Sequence, residues 1–476
     1  MPTFRILNFG CRASQADGAA IKKQLLESGL QEADDISASQ VAILNTCTVT
    51  ARADAEVRQM VRRIHRKNPQ CRILVTGCYA QRSAAEIAQL GGVAWVVGNS
   101  HKHLIADLLR SGLSKESGVR TQKSEAAGRG PLVQIEPERA SATPCNGIAD
   151  RSLVPDREPR TACPPTILVG EIADEFHFVP VFPDDRTRPT LKIQDGCNAR
   201  CSFCVIPYVR GRSRSLGPEK VIEQVHELEQ RGYKEIVLSG INLGSYGRDI
   251  GRGITFLSLL GRLLEETAMA RLRISSIEPM DVSPALIRLV AEEPRLAQHF
   301  HIPLQSGCNR ILRLMSRRYW ASQYAERILA IREQIPNAGI GADVMVGFPG
   351  ETDLDHTASA SFIESLPFTY LHIFPYSARP NTPAAASPHQ VNGRVARERA
   401  QEIRSLLTPK RQTFLQEQIG CKLSAVTLDE FEASERVALS SNYLKIVLPG
   451  SNLPPNTLLY IQVGRVHQGL LFGFPA

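Results

Sequence analysis

Three cysteines fall within one short stretch, Cys197-Asn-Ala-Arg-Cys201-Ser-Phe-Cys204. Thiolates are the ligands that iron–sulfur centres require, and three of them around a four-iron cubane leave one iron open for chemistry. A structural zinc site would need a fourth ligand, supplied by paired CxxC or Cys/His groups. No further Cys or His stands close by in the chain. A second set is dispersed: Phe9-Gly10-Cys11, Asn45-Thr46-Cys47-Thr48 and Thr76-Gly77-Cys78-Tyr79. Each of these thiols follows a short apolar run. Buried cysteine is also a common small core residue, so any one of them alone reads as packing. All three at equivalent topological positions read as a second three-thiolate site.

The elements that must position these thiols are legible as alternating apolar runs and amphipathic stretches. In the first hundred residues, strands are expected at 4–9, 41–44, 73–75 and 93–97, with helices near 15–28, 51–67 and 83–89. Such alternation predicts right-handed crossovers and a doubly wound parallel sheet, α/β in class. Ligands bind such a sheet at the carboxyl ends of its strands, where Cys11, Cys47 and Cys78 stand. A second alternating series gives strands at 191–194, 235–238, 271–275, 299–302, 341–346 and 370–374. Six such units make a partial (β/α) barrel, short of the eight that close one, with its active site at the carboxyl ends. Cys197 follows the first of those strands. A long polar helix is expected over 391–418, then short runs with Gly, Pro and Asn turns that fit a small antiparallel β-barrel. The predicted organisation is therefore an N-terminal sheet domain over 1–110, a proline-rich linker or insertion over 111–189, a barrel over 190–390, a connecting helix over 391–419 and a terminal barrel over 420–476.

The 476 residues carry 56 Lys and Arg against 48 Asp and Glu, a net charge of +8 that favours an anionic partner. A hydrophobic share of 43% and a charged share of 22% exclude a wholly disordered or fibrous chain. No apolar run is long enough to span a membrane, and the first residues lack a signal-peptide profile. A cytoplasmic location follows as an expectation, with the eleven cysteines read as thiols. Cys71, Cys308 and Cys421, and Cys145 and Cys163 in the proline-rich stretch, have no partners at ligand spacing.

The run Cys197–Cys204 resembles the signature of the radical S-adenosylmethionine enzymes. With the dispersed cysteines included, the chain resembles the methylthiotransferase family of that superfamily. The supporting stretches are Asn45-Thr-Cys-Thr-Val-Thr50, Thr76-Gly-Cys-Tyr-Ala-Gln81, Lys192-Ile-Gln-Asp-Gly-Cys197, His301-Ile-Pro-Leu-Gln-Ser-Gly307 and Val346-Gly-Phe-Pro-Gly-Glu-Thr352. Within the family, Cys47-Thr-Val-Thr50 and Gly77-Cys-Tyr-Ala-Gln81 are most similar to the members that act on N6-threonylcarbamoyladenosine in tRNA. The resemblance implies two 4Fe–4S clusters, one on Cys197, Cys201 and Cys204 and an auxiliary one on Cys11, Cys47 and Cys78. It implies a C-terminal barrel of the TRAM type. It also implies two molecules of S-adenosylmethionine per product, one methylating sulfur at the auxiliary cluster and one generating a 5′-deoxyadenosyl radical. The product carries a methylthio group on carbon 2 of the adenine beside the anticodon. A tRNA substrate, a reducing partner such as flavodoxin or ferredoxin, and a monomeric chain complete the expectation.

Two glycine-rich strand ends are further candidates. Gly347, Gly350 and Glu351 follow the fifth barrel strand, and Gly240 and Asn242 follow the second. Their glycines permit close backbone approach to S-adenosylmethionine; a simple strand-to-helix turn explains the fifth-strand group equally well. Basic clusters at Arg58, Arg62, Arg63, Arg66 and Lys67, at 210–214 and at 313–318 suit RNA phosphates or a solvated face. Arg210, Arg212 and Arg214 are the better candidates for substrate or cofactor anions. Residues 421–476 balance four basic against four acidic side chains, so the terminal barrel is expected to hold RNA weakly by itself. Competing readings keep the chemistry but change the target, to isopentenyladenosine in tRNA or an aspartate of a ribosomal protein. A third is a non-catalytic iron–sulfur protein that binds RNA.

Overall fold

The computed structural model describes residues 1–114, 164–172 and 187–476. Cys145, Cys163 and most of the proline-rich stretch lie outside the described residues.

The first sheet is built from β1 (Thr3–Asn8), β2 (Gln31–Glu32), β3 (Val41–Thr46), β4 (Arg72–Gly77), β5 (Val93–Val97) and β6 (Thr166–Leu168), in the order β2-β1-β3-β4-β5-β6. Every pairing is parallel. Strands β3 and β4 are apolar on both faces because helices cover both sides of the sheet. Helix α1 (Arg12–Glu27) buries Ile21 and Leu25 on one face, and α2 (Ala51–Lys67) buries Val57, Val61 and Ile64 on the other. The expected doubly wound sheet is present. Part of the segment read as a linker behaves otherwise, since β6 extends the sheet beside β5 and Gln81 donates to the Gly170 carbonyl at 2.8 Å.

The barrel strands are β7 (Thr190–Lys192), β10 (Glu235–Ser239), β11 (Arg271–Ile274), β12 (His299–His301), β13 (Gly339–Val346) and β14 (Tyr370–Pro375), while β8 (Gln194–Asp195) and β9 (Arg214–Ser215) pair as a small hairpin beside them. They form two parallel three-stranded sheets, β11-β10-β7 and β12-β13-β14, joined by isolated bridges such as Ser276 to His301. This is the six-stranded partial barrel expected. Alternate residues (Ile340, Ala342, Val344 and Val346 on β13) pack outward against the helices, so Gly341, Asp343 and Met345 face the lumen. The long helix Gly393–Gln416 then leads to a closed barrel of β15 (Lys422–Glu432), β16 (Glu435–Ser440), β17 (Lys445–Leu448), β18 (Leu458–His467) and β19 (Leu470–Pro475).

Buried ionic groups tie these parts together. Glu235, fully buried at the start of β10, accepts from Arg188 at 3.1 Å, Arg271 at 3.2 Å and Arg273 at 2.7 Å. Arg273 also donates to the Ser440 and Ser441 carbonyls, and Arg271 to the Ser424 hydroxyl, so the base of the parallel barrel is fastened to the terminal one. Burial alone would raise the carboxyl; the three guanidiniums overcome it and hold Glu235 down at about 2. Replacing Glu235 by Gln strands three buried cations, and we expect a loss of about 3–5 kcal/mol in urea unfolding. A carboxyl depressed on folding stabilises fully above its unfolded value near 4.3 and loses that contribution as pH falls toward 2. The wild-type protein should therefore show a decline in stability below about pH 4.3 that the Gln variant lacks.

Candidate active site

The loop carrying Cys197, Cys201 and Cys204 crosses the carboxyl end of β7 and is held from below by Gln194. Its amide donates to the Gly196 carbonyl at 2.8 Å and the Ser213 hydroxyl at 2.9 Å, and its oxygen accepts from the Asn242 amide at 2.7 Å. Donors are aimed at sulfur. The Ala199 N–H lies 3.4 Å and the Asn242 Nδ2 3.9 Å from Cys197 Sγ, and Arg317 Nη1 lies 3.5 Å from Cys201 Sγ. Burial raises the Cys197 thiol and pushes Cys204 up to about 12, so without a cation these sulfurs stay protonated. A set of thiols with N–H and guanidinium donors, in a site that penalises free thiolate, suits ligands that bind metal as anions. Beside them opens a cavity of about 280 Å³ lined by Cys201, Asn242, Glu278 and Arg317. Asn242 Oδ1 is buried there without a hydrogen-bond partner among the described residues, which fits a polar ligand next to the cluster.

Of the five side chains and glycines expected around S-adenosylmethionine, Asn242 alone lines this cavity. Gly240 is close to Gln194, where an added Cβ would sit 2.9 Å from its Oε1. The fifth-strand group is a turn. An added Cβ on Gly347 would stand 2.5 Å from the Cβ of Ala396, so its close approach is to the long helix. Glu351 is buried, accepting from the Gly347 N–H at 2.5 Å and from Arg399 at 2.7 Å, and Gly350 donates to the His389 carbonyl at 2.7 Å. The Gly347 and Gly350 N–H groups and the Glu351 carboxylate thus bond within the protein, as a strand-to-helix turn requires. Arg317, grouped from sequence with the basic cluster at 313–318, pairs instead with Glu278 at the cavity edge, and Glu278 is the residue sequence reading missed. Phe203 packs edge-to-face on Phe348, ring centroids 6.4 Å apart.

Cys11, Cys47 and Cys78 follow β1, β3 and β4, which are neighbours in the sheet, and Cys47 senses both of the others. Interaction with Cys47 draws the Cys11 thiol well below its usual range, with help from Arg210. The same interaction, with burial, raises Cys47, which also senses Cys78. Gly10, at φ +96°, makes this approach feasible: a Cβ there would fall 2.2 Å from the Cβ of Cys47. Asn99 donates to Cys78 Sγ at 3.5 Å and to the Val209 carbonyl at 2.6 Å. A low thiol, a thiol sharing its proton and a third within electrostatic reach form a donor set suited to a second metal centre. The other described cysteines are engaged elsewhere. Cys71 sits in the core within 3.7 Å of the Ser39 hydroxyl, Cys308 donates to Asp355, and Cys421 to the Glu417 carbonyl.

The two thiol sets are joined by the residues between them. Cys78 packs against Val205, which immediately follows Cys204, and against Val209 one helical turn further on. Arg210, expected to face substrate or cofactor anions, is instead buried. It donates to both carboxylate oxygens of Asp195 at 2.9 and 3.0 Å and to Asp17 of α1 at 3.0 Å. Lys192 and Lys102 complete the group around Asp17. Periodicity cannot distinguish such an arginine from a solvated one, because its partners are 15 and 193 residues away. A similar lock sits on the other side, where Asp54 of α2 accepts from Arg379 at 2.6 Å and Arg82 at 2.8 Å. The first domain is thus fastened to the partial barrel on both edges, beside β7 through Asp17 and beyond β14 through Asp54. Arg62, Arg63, Arg66 and Lys67 remain exposed, whereas Arg58 bonds Tyr79 and Glu86.

Comparison with known proteins agrees with this geometry. Residues 3–98 match the family described as Uncharacterized protein family UPF0004, and residues 191–363 match the Radical SAM superfamily. The threonylcarbamoyladenosine tRNA methylthiotransferase MtaB of Aquifex aeolicus is 34% identical over 97% of this chain and 98% of its own length. The chain belongs to the radical S-adenosylmethionine methylthiotransferases. The MtaB of Bacillus subtilis is 35% identical, covering 95% of this chain and 91% of that protein. A tRNA-2-methylthio-N(6)-dimethylallyladenosine synthase of Pelotomaculum thermopropionicum is 32% identical over 85% of this chain and 81% of its own. Among solved structures, the radical S-adenosylmethionine methyltransferase TsrM of Kitasatospora setae shares the fold, with a TM-score of 0.51 at 14% identity, covering 81% of this chain and 75% of that one. Enzymes of this methylthiotransferase family work with S-adenosylmethionine and 4Fe–4S clusters.

Proposed function

We propose that this enzyme adds a methylthio group to carbon 2 of N6-threonylcarbamoyladenosine next to the anticodon of tRNA. The observation that supports the reading is a chain that aligns with MtaB relatives over nearly its whole length and carries two separate three-thiol sets, with Cys78 of one packed against Val205 and Val209, just beyond Cys204 of the other. In this reading Cys197, Cys201 and Cys204 hold one 4Fe–4S cluster and Cys11, Cys47 and Cys78 the other. Bound S-adenosylmethionine and reduced iron–sulfur supply the radical chemistry that a strong, non-acidic aromatic C–H bond demands. The protein's own contribution is positional. Asn242 and Arg317 orient and neutralise sulfur at the first site, and Gln194 fixes its loop. Arg210, Asp17 and Asp195 hold the second site at a set distance from it.

No described helix is long and apolar enough to cross a membrane. We propose a cytoplasmic monomer, reduced by a single-electron donor such as flavodoxin or ferredoxin. Nucleoside mass spectrometry of tRNA from a deletion strain tests the function. Loss of 2-methylthio-N6-threonylcarbamoyladenosine, with return on complementation, is the expected result. Persistence of that nucleoside with loss of the isopentenyl counterpart would reassign the substrate.

A further inference from the structure

Positive charge exceeds negative at the base of the lumen. Three guanidiniums already share the buried carboxylate of Glu235. A fourth belongs to Arg12, the first residue of α1 and the chain neighbour of Cys11. Arg12 donates to the Tyr443 hydroxyl at 3.2 Å, and no carboxylate pairs with it among the described residues. The charges converge: Arg273, Arg12 and Arg188 all act on His299, whose imidazole is held well below its usual range by burial first and then by these cations. Between first domain, parallel barrel and terminal barrel lies a cavity of about 630 Å³ bordered by Gly10, Cys11, Arg12, Arg188, Thr190 and Tyr443. Two acids, Asp429 and Glu430, stand on its rim, and each has its own cation, Arg436 at 3.4 Å and Lys445 at 2.5 Å. The surplus is thus not cancelled by the rim.

We propose that this cavity is a carboxylate subsite, in which Arg12 anchors the acidic arm on N6 of the substrate adenine. The inference rests on the proposed function and adds the residue that selects the substrate. Cys11 borders the same cavity, so an adenine whose carbon 2 meets the auxiliary site projects its N6 arm into the surrounding chamber. A threonylcarbamoyl arm ends in a carboxylate that a guanidinium binds by two charge-assisted hydrogen bonds. A dimethylallyl arm offers nothing to pair with, and burying Arg12 against it costs the desolvation of an unmatched cation. Selectivity therefore comes from attraction to one arm and a penalty on the other.

The test uses the full-length reconstituted enzyme and two anticodon stem-loops, one carrying N6-threonylcarbamoyladenosine and one with that carboxylate converted to the neutral carboxamide. Dissociation constants are measured for wild type, Arg12→Gln and Arg12→Lys, with product followed by mass spectrometry. Arg12→Gln should weaken binding of the acid on the order of 10- to 100-fold, leave the carboxamide unchanged, and be partly rescued in Arg12→Lys. Iron content should not change. Equal weakening on both stem-loops would make Arg12 a backbone-phosphate contact or a structural residue and overturn the subsite, as would no weakening on either. Failure of the wild-type enzyme to methylthiolate the acid stem-loop would overturn the proposed function itself, and the subsite with it.

Discussion

Cys201→Ala is expected to leave a folded protein that no longer cleaves S-adenosylmethionine. Anaerobically reduced enzyme should release no detectable 5′-deoxyadenosine, and reconstituted iron should fall from about eight to about four atoms per chain. The reason is local. Cys201 receives the Arg317 guanidinium at 3.5 Å and borders the 280 Å³ cavity, so its loss removes one of three sulfurs and the wall against which a cofactor sits. The fold should survive, because the loop is held by Gln194 and not by the thiols. Continued release of 5′-deoxyadenosine at the wild-type rate would exclude this loop as the radical site.

The arrangement of strands was readable from sequence because both sheets are parallel and buried. Their strands are short apolar runs separated by helix-length polar stretches, and the six barrel strands match the six runs. The two thiol sets could be proposed because local spacing (Cys197 to Cys204) and topological equivalence (Cys11, Cys47, Cys78) are both properties of the chain order. What escaped were contacts of long sequence separation. Arg210 follows the cluster loop and looks like an anion ligand, yet its charge is spent on Asp195 and on Asp17 in another domain. Glu351 sits in a glycine-rich turn and looks like a cofactor ligand, yet Arg399 from the distant helix claims it. The strand at 166–168 was hidden within a proline-rich, weakly periodic stretch, since a three-residue edge strand leaves almost no pattern. Charge balance is equally silent about what meets a surface: at the junction of the neutral terminal barrel, the Tyr443 hydroxyl and the Ser440 and Ser441 carbonyls accept from Arg12 and Arg273 of the other domains.

The auxiliary thiols give the sharper test, because their removal should separate two chemistries that the first site cannot. In a Cys11→Ala, Cys47→Ala, Cys78→Ala variant, about four irons should remain, bound by the radical loop. Release of 5′-deoxyadenosine should persist, while methylthio product is lost altogether. The two thiol sets do not share ligands, and the wall between them is made of Val205, Val209 and Arg210, so the radical loop keeps its own supports. Within the trio, Cys47 is the most demanding position. It lies between Cys11, which shares its proton, and Cys78, which raises it electrostatically, and Gly10 presses directly on its Cβ. Single Cys47→Ala should therefore approach the triple variant in iron loss. If the triple variant still held about eight irons, or still formed product, these thiols would be core residues, and the sulfur would have to be supplied from elsewhere in the molecule.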